Sequence, residues 1–478
     1  MAILNGIRAT MIHARRRGAI VAALAAAALA SSPHRARANG RFPASNMLVA
    51  QPGDPSHLML RATYGLLFSS DGGGSWDWVC EKAVGYGGAE DPSVTITKSG
   101  AVVVGMFHGM ARSTDGGCTW QHDAKWPQSV VDLTLRKAAP RRVYAATCVF
   151  SRVADAGGSL FKNAVDVSDD EGESWATRAT LDPTILIDSI EIAESDPSRV
   201  YVSAIRPRGH DTAGLLLVSD DDGAHFQERP VPFEPTDRGI YIAAVDPKNA
   251  ARIYLRTTGV DSGRLLVSED AGKSFREAQR GGPIPAFALA DEGATVYVGG
   301  PKDGLLRYAA GLVGSAEKQS TMAIQCLASI GPTLWACAPV GAGFVLGAST
   351  NGGSTFAPKL TLAGMRGPLR CADGVSVANT CAADWAAIEA LVNPRLDAPK
   401  DGGAVAPAGP AAKSSCGCTT VGAPAEPGAG FALASLIAAL AILVLHRGRA
   451  TALRPRRFVA RGRGRGVERV RPQGGRGR

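Results

Sequence analysis

Ser69-Ser70-Asp71-Gly72-Gly73-Gly74-Ser75-Trp76 is the first of six variants of one frame in the chain. Ser113 to Trp120 reads Ser-Thr-Asp-Gly-Gly-Cys-Thr-Trp, and Ser168 to Trp175 reads Ser-Asp-Asp-Glu-Gly-Glu-Ser-Trp. Ser219 to Phe226, Ser268 to Phe275 and Ser349 to Phe356 are looser copies. The shared frame is Ser-x-Asp-x-Gly-x-Ser/Thr-aromatic, with Asp71, Asp115, Asp170, Asp221, Asp270 and Asn351 at its third position. Self-similarity at a period of about 50 residues indicates a repeat architecture before any single residue is interpreted.

The frame has the chemistry of a turn. An apolar run precedes each copy, such as Gly65-Leu66-Leu67-Phe68 or Leu215-Leu216-Leu217-Val218, and reads as a strand ending at the Ser. Asp accepts backbone N–H bonds two residues on, and Gly takes positive φ without steric cost. The hydroxyl residue and the aromatic (Trp76, Trp120 and Trp175 in the full copies) restart the chain as a second strand. This frame resembles the Asp-box, or bacterial neuraminidase repeat, which caps a hairpin within each blade of a β-propeller. The departures are Phe226, Phe275 and Phe356 for Trp, His225 for the hydroxyl residue, and Asn351 for Asp.

The copies begin at 69, 113, 168, 219, 268 and 349, and the last step is nearly two periods. Within it, Ala294 to Val298 and Gly304 to Tyr308 keep the strand rhythm without the frame. Six corners and one eroded copy predict an all-β propeller of seven four-stranded blades over residues 39–395. Asp-Pro turns feeding alternating strands, as at Asp54-Pro55 and Asp196-Pro197, mark the first-to-second-strand joins. First strands are expected at Ser93–Thr97, Asp132–Leu135, Ser189–Ala193, Tyr241–Val245, Ala286–Ala290 and Gln325–Ala328. Met47 to Ala50 is expected to complete the final blade and close the ring, and Trp385 to lie on a short closing helix.

The two ends read as targeting segments. Arg15-Arg16-Arg17, the apolar run Gly18 to Ala30 and Ala36-Arg37-Ala38 make residues 1–38 a signal peptide. Residues 396–427 form an Ala/Pro/Gly-rich spacer containing Cys416-Gly417-Cys418, followed by an apolar run over 428–446 of transmembrane length and an Arg/Gly-rich cytoplasmic tail over 447–478. This order resembles the myxobacterial-type C-terminal sorting signal. The resemblance implies a processing protease, with Cys416 and Cys418 as the sorting motif, and attachment at the cell surface after passage through a single-span membrane form. The tail is longer than is usual in that family.

Charge separates the ends from the body. The whole chain is +9, residues 446–478 carry +11 and residues 1–38 carry +6, so the body between is −8. Nucleic acid is therefore not expected as a partner of the body. In an exported chain the seven body cysteines read as disulfides rather than metal ligands. Proximity suggests Cys80 with Cys118, Cys326 with Cys337 and Cys371 with Cys381, leaving Cys148 unpaired; spacing alone does not choose the pairing.

In a propeller the corner between third and fourth strands lies on one face. Connections between blades, and from second to third strands, lie on the other, where ligands are expected around the channel. Residues just before or within the first strands supply the candidates: Glu90-Asp91, Asp132, Asp188, Asp237-Arg238 and Tyr241, with Asp91, Asp132, Asp188, Arg238 and Tyr241 the site proper. Insertions at Ser151–Asn163, Pro207–Ala213 with His210, and Gly259–Gly263 border them. The plainer reading is that these are solvated strand-entry residues. The corner residues themselves read as scaffold.

Enzyme signatures are weak. Clustered carboxylates can act as a general acid/base pair, so a secreted polysaccharide hydrolase is the alternative to a binding module. The sialidase pattern is not met: Arg41-Phe42-Pro43 stands where an Arg-Ile-Pro is wanted, and no arginine triad falls at equivalent blade positions. Gly272-Lys273-Ser274 mimics the end of a phosphate loop but lacks its first Gly, and no Gly-x-Ser-x-Gly or His-Glu-x-x-His occurs. No catalytic residue, metal or cofactor is implied. Resemblance to sortilin-type and photosystem-assembly-factor propellers implies a protein or peptide partner; a glycan is the other ligand class expected on that face.

Overall fold

The computed structural model describes residues 44–88, 90–123, 128–136, 139, 141–154, 158–208, 211–372 and 376–392. The expected signal peptide, spacer with Cys416 and Cys418, membrane span and tail, and His210, lie outside the described residues. Among those described, no helix is long and apolar enough to cross a membrane.

Seven four-stranded sheets follow one another along the chain, over residues 45–79, 93–122, 130–181, 186–231, 239–281, 286–320 and 326–360. In each sheet the strands are antiparallel and in sequence order. The first strands, Ser45–Gln51, Ser93–Ile96, Val130–Leu135, Leu186–Ile192, Gly239–Asp246, Ala286–Ala290 and Cys326–Ile330, contact one another in turn and close a ring, the last against the first. This is a seven-bladed β-propeller. Its apolar core lies between neighbouring blades. Val103 and Met110 of blade 2 meet Val130, Leu133, Val143 and Ala145 of blade 3, and similar clusters join blades 3 to 7.

Blade 6 carries the strand rhythm without the repeated corner. Thr295–Gly300 and Gly304–Ala309 are its second and third strands, and a single turn over Ala310–Leu312 replaces the frame.

Closure differs from the expectation. Ser45–Gln51 does not complete the final blade. It pairs with Asp54–Ala62 as the first strand of blade 1. The cause is local: Pro52-Gly53, with Gly53 at φ +85°, turns the chain tightly between Gln51 and Asp54. Beyond the contact of first strands, the ring is latched by the chain leaving blade 7. Residues 366–369 run parallel to Asp77–Val79, the outer strand of blade 1. The Trp78 amide donates to Gly367 O (2.8 Å) and the Leu369 amide to Trp78 O (2.7 Å). Arg366 forms an ion pair with Asp77 (Nε–Oδ1 3.0 Å).

The chain then enters helix α2 (Ser376–Val392), longer than expected, which lies against the short helix α1 (Glu81–Val84). Trp385 packs against Trp78 with ring centres 5.6 Å apart and the rings tilted by 44°, and Lys82 pairs with Asp384 at 2.9 Å.

The disulfides follow this return path. Cys80 bonds Cys381 and Cys118 bonds Cys371, where sequence proximity had paired Cys80 with Cys118 and Cys371 with Cys381. Cys326 and Cys337 are paired as expected, facing each other in register on adjacent strands. Cys148 is also disulfide-bonded, not unpaired. Such bonds form and persist in oxidising compartments.

Candidate functional site

The repeated corners come first, because they fix which face is which. Each joins the third and fourth strands of a blade. In the first copy, Ser69 Oγ donates to Asp71 Oδ1 (2.8 Å) and accepts the Gly73 amide (2.9 Å). Asp71 then accepts the Ser75 amide at Oδ1 (2.9 Å) and the Ser75 hydroxyl at Oδ2 (2.6 Å). The Ser75 hydroxyl is the main influence lowering the Asp71 carboxyl to about 2, and Ser274 lowers Asp270 to about 2 in the same way.

The departures from the frame keep this circuit. His225 replaces the hydroxyl with its ring Nδ1, 2.6 Å from Asp221 Oδ2. Asn351 accepts from the Ser349 hydroxyl and the Thr355 amide, and its own amide group donates to Thr355 Oγ1 (2.8 Å). Asp71, Asp115, Asp170, Asp221, Asp270 and Asn351 are all used within their own turns.

Backbone geometry adds a rule that the frame did not display. Its fourth position has φ between +61° and +72° in every copy. Gly72, Gly116 and Gly352 take this conformation without strain, whereas Glu171, Asp222 and Ala271 adopt it despite their Cβ atoms.

On the opposite face, the sequence candidates fall on an arc spanning blades 2 to 5. Asp132 lies on the first strand of blade 3 and reaches both neighbours. Its Oδ1 accepts from Ser93 Oγ of blade 2 (2.9 Å), and its Oδ2 accepts the Ile190 amide of blade 4 (3.1 Å). Burial pushes its carboxyl up, against these bonds and the Leu133 amide. Asp188, on the first strand of blade 4, accepts the Ile240 amide of blade 5 (2.9 Å). Burial pushes it up to about 8. It sits at an irregularity in strand pairing between Ile187 and Ser189. Such bulges re-aim side chains.

The remaining candidates divide. Glu90 is buried, accepts the Phe107 amide, and is pushed up by desolvation. Asp91 offers its main-chain carbonyl to Arg61 (3.3 Å). Asp237 is buried against Arg264 and also accepts the Glu234 amide (2.7 Å). Arg238 is exposed just before the first strand of blade 5. Tyr241 lies beneath the guanidinium of Arg256, 5.0 Å from the ring centre.

Sequence reasoning did not single out Ser93, Ser189, Ser203, Arg256 or Arg264. Ser189 accepts the Ile242 amide of blade 5 (2.8 Å), and Ser203 donates to Ile240 O (2.8 Å). Their only sequence signal is a polar residue inside an apolar strand.

The second-to-third-strand hairpins are unequal. Val143–Val153 and Ser159–Ser168 make the hairpin of blade 3 longer than those of blades 1, 2, 6 and 7. Val153 is 61% exposed at its far end, and Val260, in the corresponding connection of blade 5, is 56% exposed.

No protein-family model matches this chain. A search of curated proteins returns no match. Among solved structures, an ancestral GH74 enzyme aligns at 17% identity and a TM-score of 0.44. That alignment covers 61% of this chain and 39% of the enzyme, so this chain spans about two fifths of its length. YCF48 from Cyanidioschyzon merolae aligns at 17% identity over 62% of this chain and 93% of its own, with a TM-score of 0.41. The Niastella koreensis GH74 enzyme aligns at 12% identity over 68% and 73%, with a TM-score of 0.30. The fold assignment rests on the strand order itself.

Proposed function

We propose that this protein is an exported, cell-surface-anchored propeller that binds a protein, peptide or glycan ligand on the face opposite its repeated corners. The observation that carries this reading is the asymmetry between the faces. The corner face repeats one internally bonded turn six times, whereas the other presents hairpins of unequal length that end in exposed Val153 and Val260, beside exposed Arg238. Loops of unequal length carried on a rigid scaffold are the usual place for a binding surface. Asp91, Asp132, Asp188, Arg238 and Tyr241 border it. The signal peptide and the sorting motif at Cys416 and Cys418 supply export and anchoring, through a membrane-spanning form and a processing protease. The resemblance to sortilin-type and photosystem-assembly-factor propellers favours a protein or peptide over a glycan.

Binding is preferred to polysaccharide hydrolysis on the geometry of the carboxylates. A glycosidase pair has to present both carboxyl groups to the scissile bond. Asp132 accepts from Ser93 and the Ile190 amide, and Asp188 accepts the Ile240 amide, so both are engaged in joining neighbouring blades.

Photo-crosslinking on intact cells tests the proposal. A photoreactive residue at 153 or 260 is expected to yield discrete adducts that the same probe at Val313, exposed on the corner face of blade 6, does not. Equal labelling from all three positions would count against a ligand face. A glycan array and a polysaccharide-release assay on the purified protein separate the alternatives; product release lost on Asp188→Asn would favour the hydrolase.

A further inference from the structure

Glu171, Asp222 and Ala271 share the left-handed corner position, but only Asp222 draws arginines around its carboxylate. Arg142 Nη2 approaches Asp222 Oδ2 at 2.8 Å, Arg136 Nη1 approaches Oδ1 at 3.6 Å, and Arg178 Nη2 lies 3.8 Å from Oδ2. Tyr144 donates its hydroxyl to Asp222 Oδ1, and Arg142 stacks on its ring at 5.3 Å. The aspartate therefore accepts backbone strain to hold arginines of blade 3 beside the corner of blade 4.

Two of these arginines, Arg136 and Arg142, wall a solvent-open pocket of about 310 Å³ on the corner face. It is lined by Arg136, Ala139, Arg141, Arg142 and Asp169. Arg142 also lies 3.4 Å from Asp169. Arg141 has no side-chain partner among the described residues, and its carbonyl is pinned by the Glu171 amide (2.9 Å). Among the described residues, the carboxylates that pair with Arg136, Arg142 and Arg178 are those of Asp169 and Asp222; with Arg141 this sets four positive charges against two negative.

We propose that this pocket is a second binding site, specific for a doubly charged oxyanion such as a phosphate or sulfate group. Planar guanidinium forks match such oxygens in pairs. Prior fixation by Asp222 and Tyr144 lowers the ordering cost of binding. The site lies on the face opposite the ligand surface proposed above and stands independently of it.

Calorimetric titration of the full-length protein with inorganic phosphate and with sulfate, at constant ionic strength set by chloride, tests the proposal. Saturable one-to-one binding is expected, weakened about tenfold by Arg141→Ala and abolished by Arg136→Gln combined with Arg141→Gln. Arg307→Ala, which breaks an exposed ion pair in blade 6, is expected to leave binding unchanged. Dextran sulfate provides the second arm: tighter binding than free sulfate, lost on Arg141→Ala, identifies a polymer-borne ester, and equal binding identifies the free ion. Absence of saturable binding in the wild type, or Arg141→Ala binding as the wild type does, would overturn the site. Circular dichroism on each variant separates loss of binding from loss of fold.

Discussion

At the junction of blades 4 and 5, neighbouring first strands are joined by buried side chains. Asp188 takes the Ile240 amide, Ser189 takes the Ile242 amide, and Ser203 reaches back to Ile240 O. At the junction of blades 7 and 1 the first strands also touch, but the decisive links lie at the rim. They are the parallel pairing of residues 366–369 with Asp77–Val79, the Trp78–Trp385 contact, the Cys80–Cys381 disulfide just after blade 1, and the Cys118–Cys371 disulfide that carries the same return segment on to the corner of blade 2. Blades 4 and 5 are already tethered by a short peptide, so a few hydrogen bonds suffice to set their register. Blades 7 and 1 lie at opposite ends of the propeller sequence and meet only after the whole ring has formed. Their loop-closure entropy is offset by covalent bonds.

The largest effect that would break this contrast is loss of both rim disulfides. Replacing Cys80, Cys118, Cys371 and Cys381 by Ser is expected to lower unfolding free energy by about 5 kcal/mol in urea titrations, with either bridge alone costing much less because the other still closes the loop. Removing Cys326–Cys337, which spans one hairpin, should cost less than the four-Ser change. Equal costs would show that closure is not what the rim bridges supply.

The next effect belongs to the interior junction and is read by pH. Asp188 has a folded value of about 8 against an ordinary carboxyl value near 4, so the unfolded chain releases this proton first. Its contribution to stability is present below about pH 4 and is lost as pH rises through about 8, by roughly a few kcal/mol. Asp188→Asn keeps an acceptor for the Ile240 amide and is expected to flatten that fall in thermal melts between pH 4 and 9. A wild-type profile that does not decline over this range would contradict the burial assigned to Asp188.

Smaller effects distinguish corners that share one backbone shape. Asp222→Gly relieves the left-handed strain but releases Arg136, Arg142 and Arg178, and is expected to cost about 2 kcal/mol. Glu171→Gly relieves the same strain and loses chiefly a bond from Ser99 (2.7 Å), and should fall within about 0.5 kcal/mol of the wild type. Asp71→Ala, which leaves the Ser75 amide without its acceptor, is expected to cost about 1 kcal/mol. Because Asp71 is lowered in the folded chain, its contribution is present above about pH 4 and lost as pH falls toward 2. Differential scanning calorimetry orders the three.

What the sequence determined by itself was everything set by local chemistry. The Ser-x-Asp-x-Gly frame specifies a turn from its own atoms, so six copies and one gap gave seven blades and the identity of each face. Even the departures at His225 and Asn351 stay within the circuit, because an imidazole nitrogen or an amide can satisfy the same partner. Pro52-Gly53 was equally local evidence that Ser45–Gln51 belongs to blade 1, although ring closure had suggested otherwise. The disulfides behaved differently: Cys326–Cys337 follows from adjacent strands, but Cys80–Cys381 and Cys118–Cys371 bridge 301 and 253 residues. The roles of Asp132, Asp188 and Asp222 likewise depend on amides and arginines supplied by other blades. Periodicity fixes what one blade is, whereas contacts between blades exist only once the chain has closed on itself, and those belong to the tertiary structure.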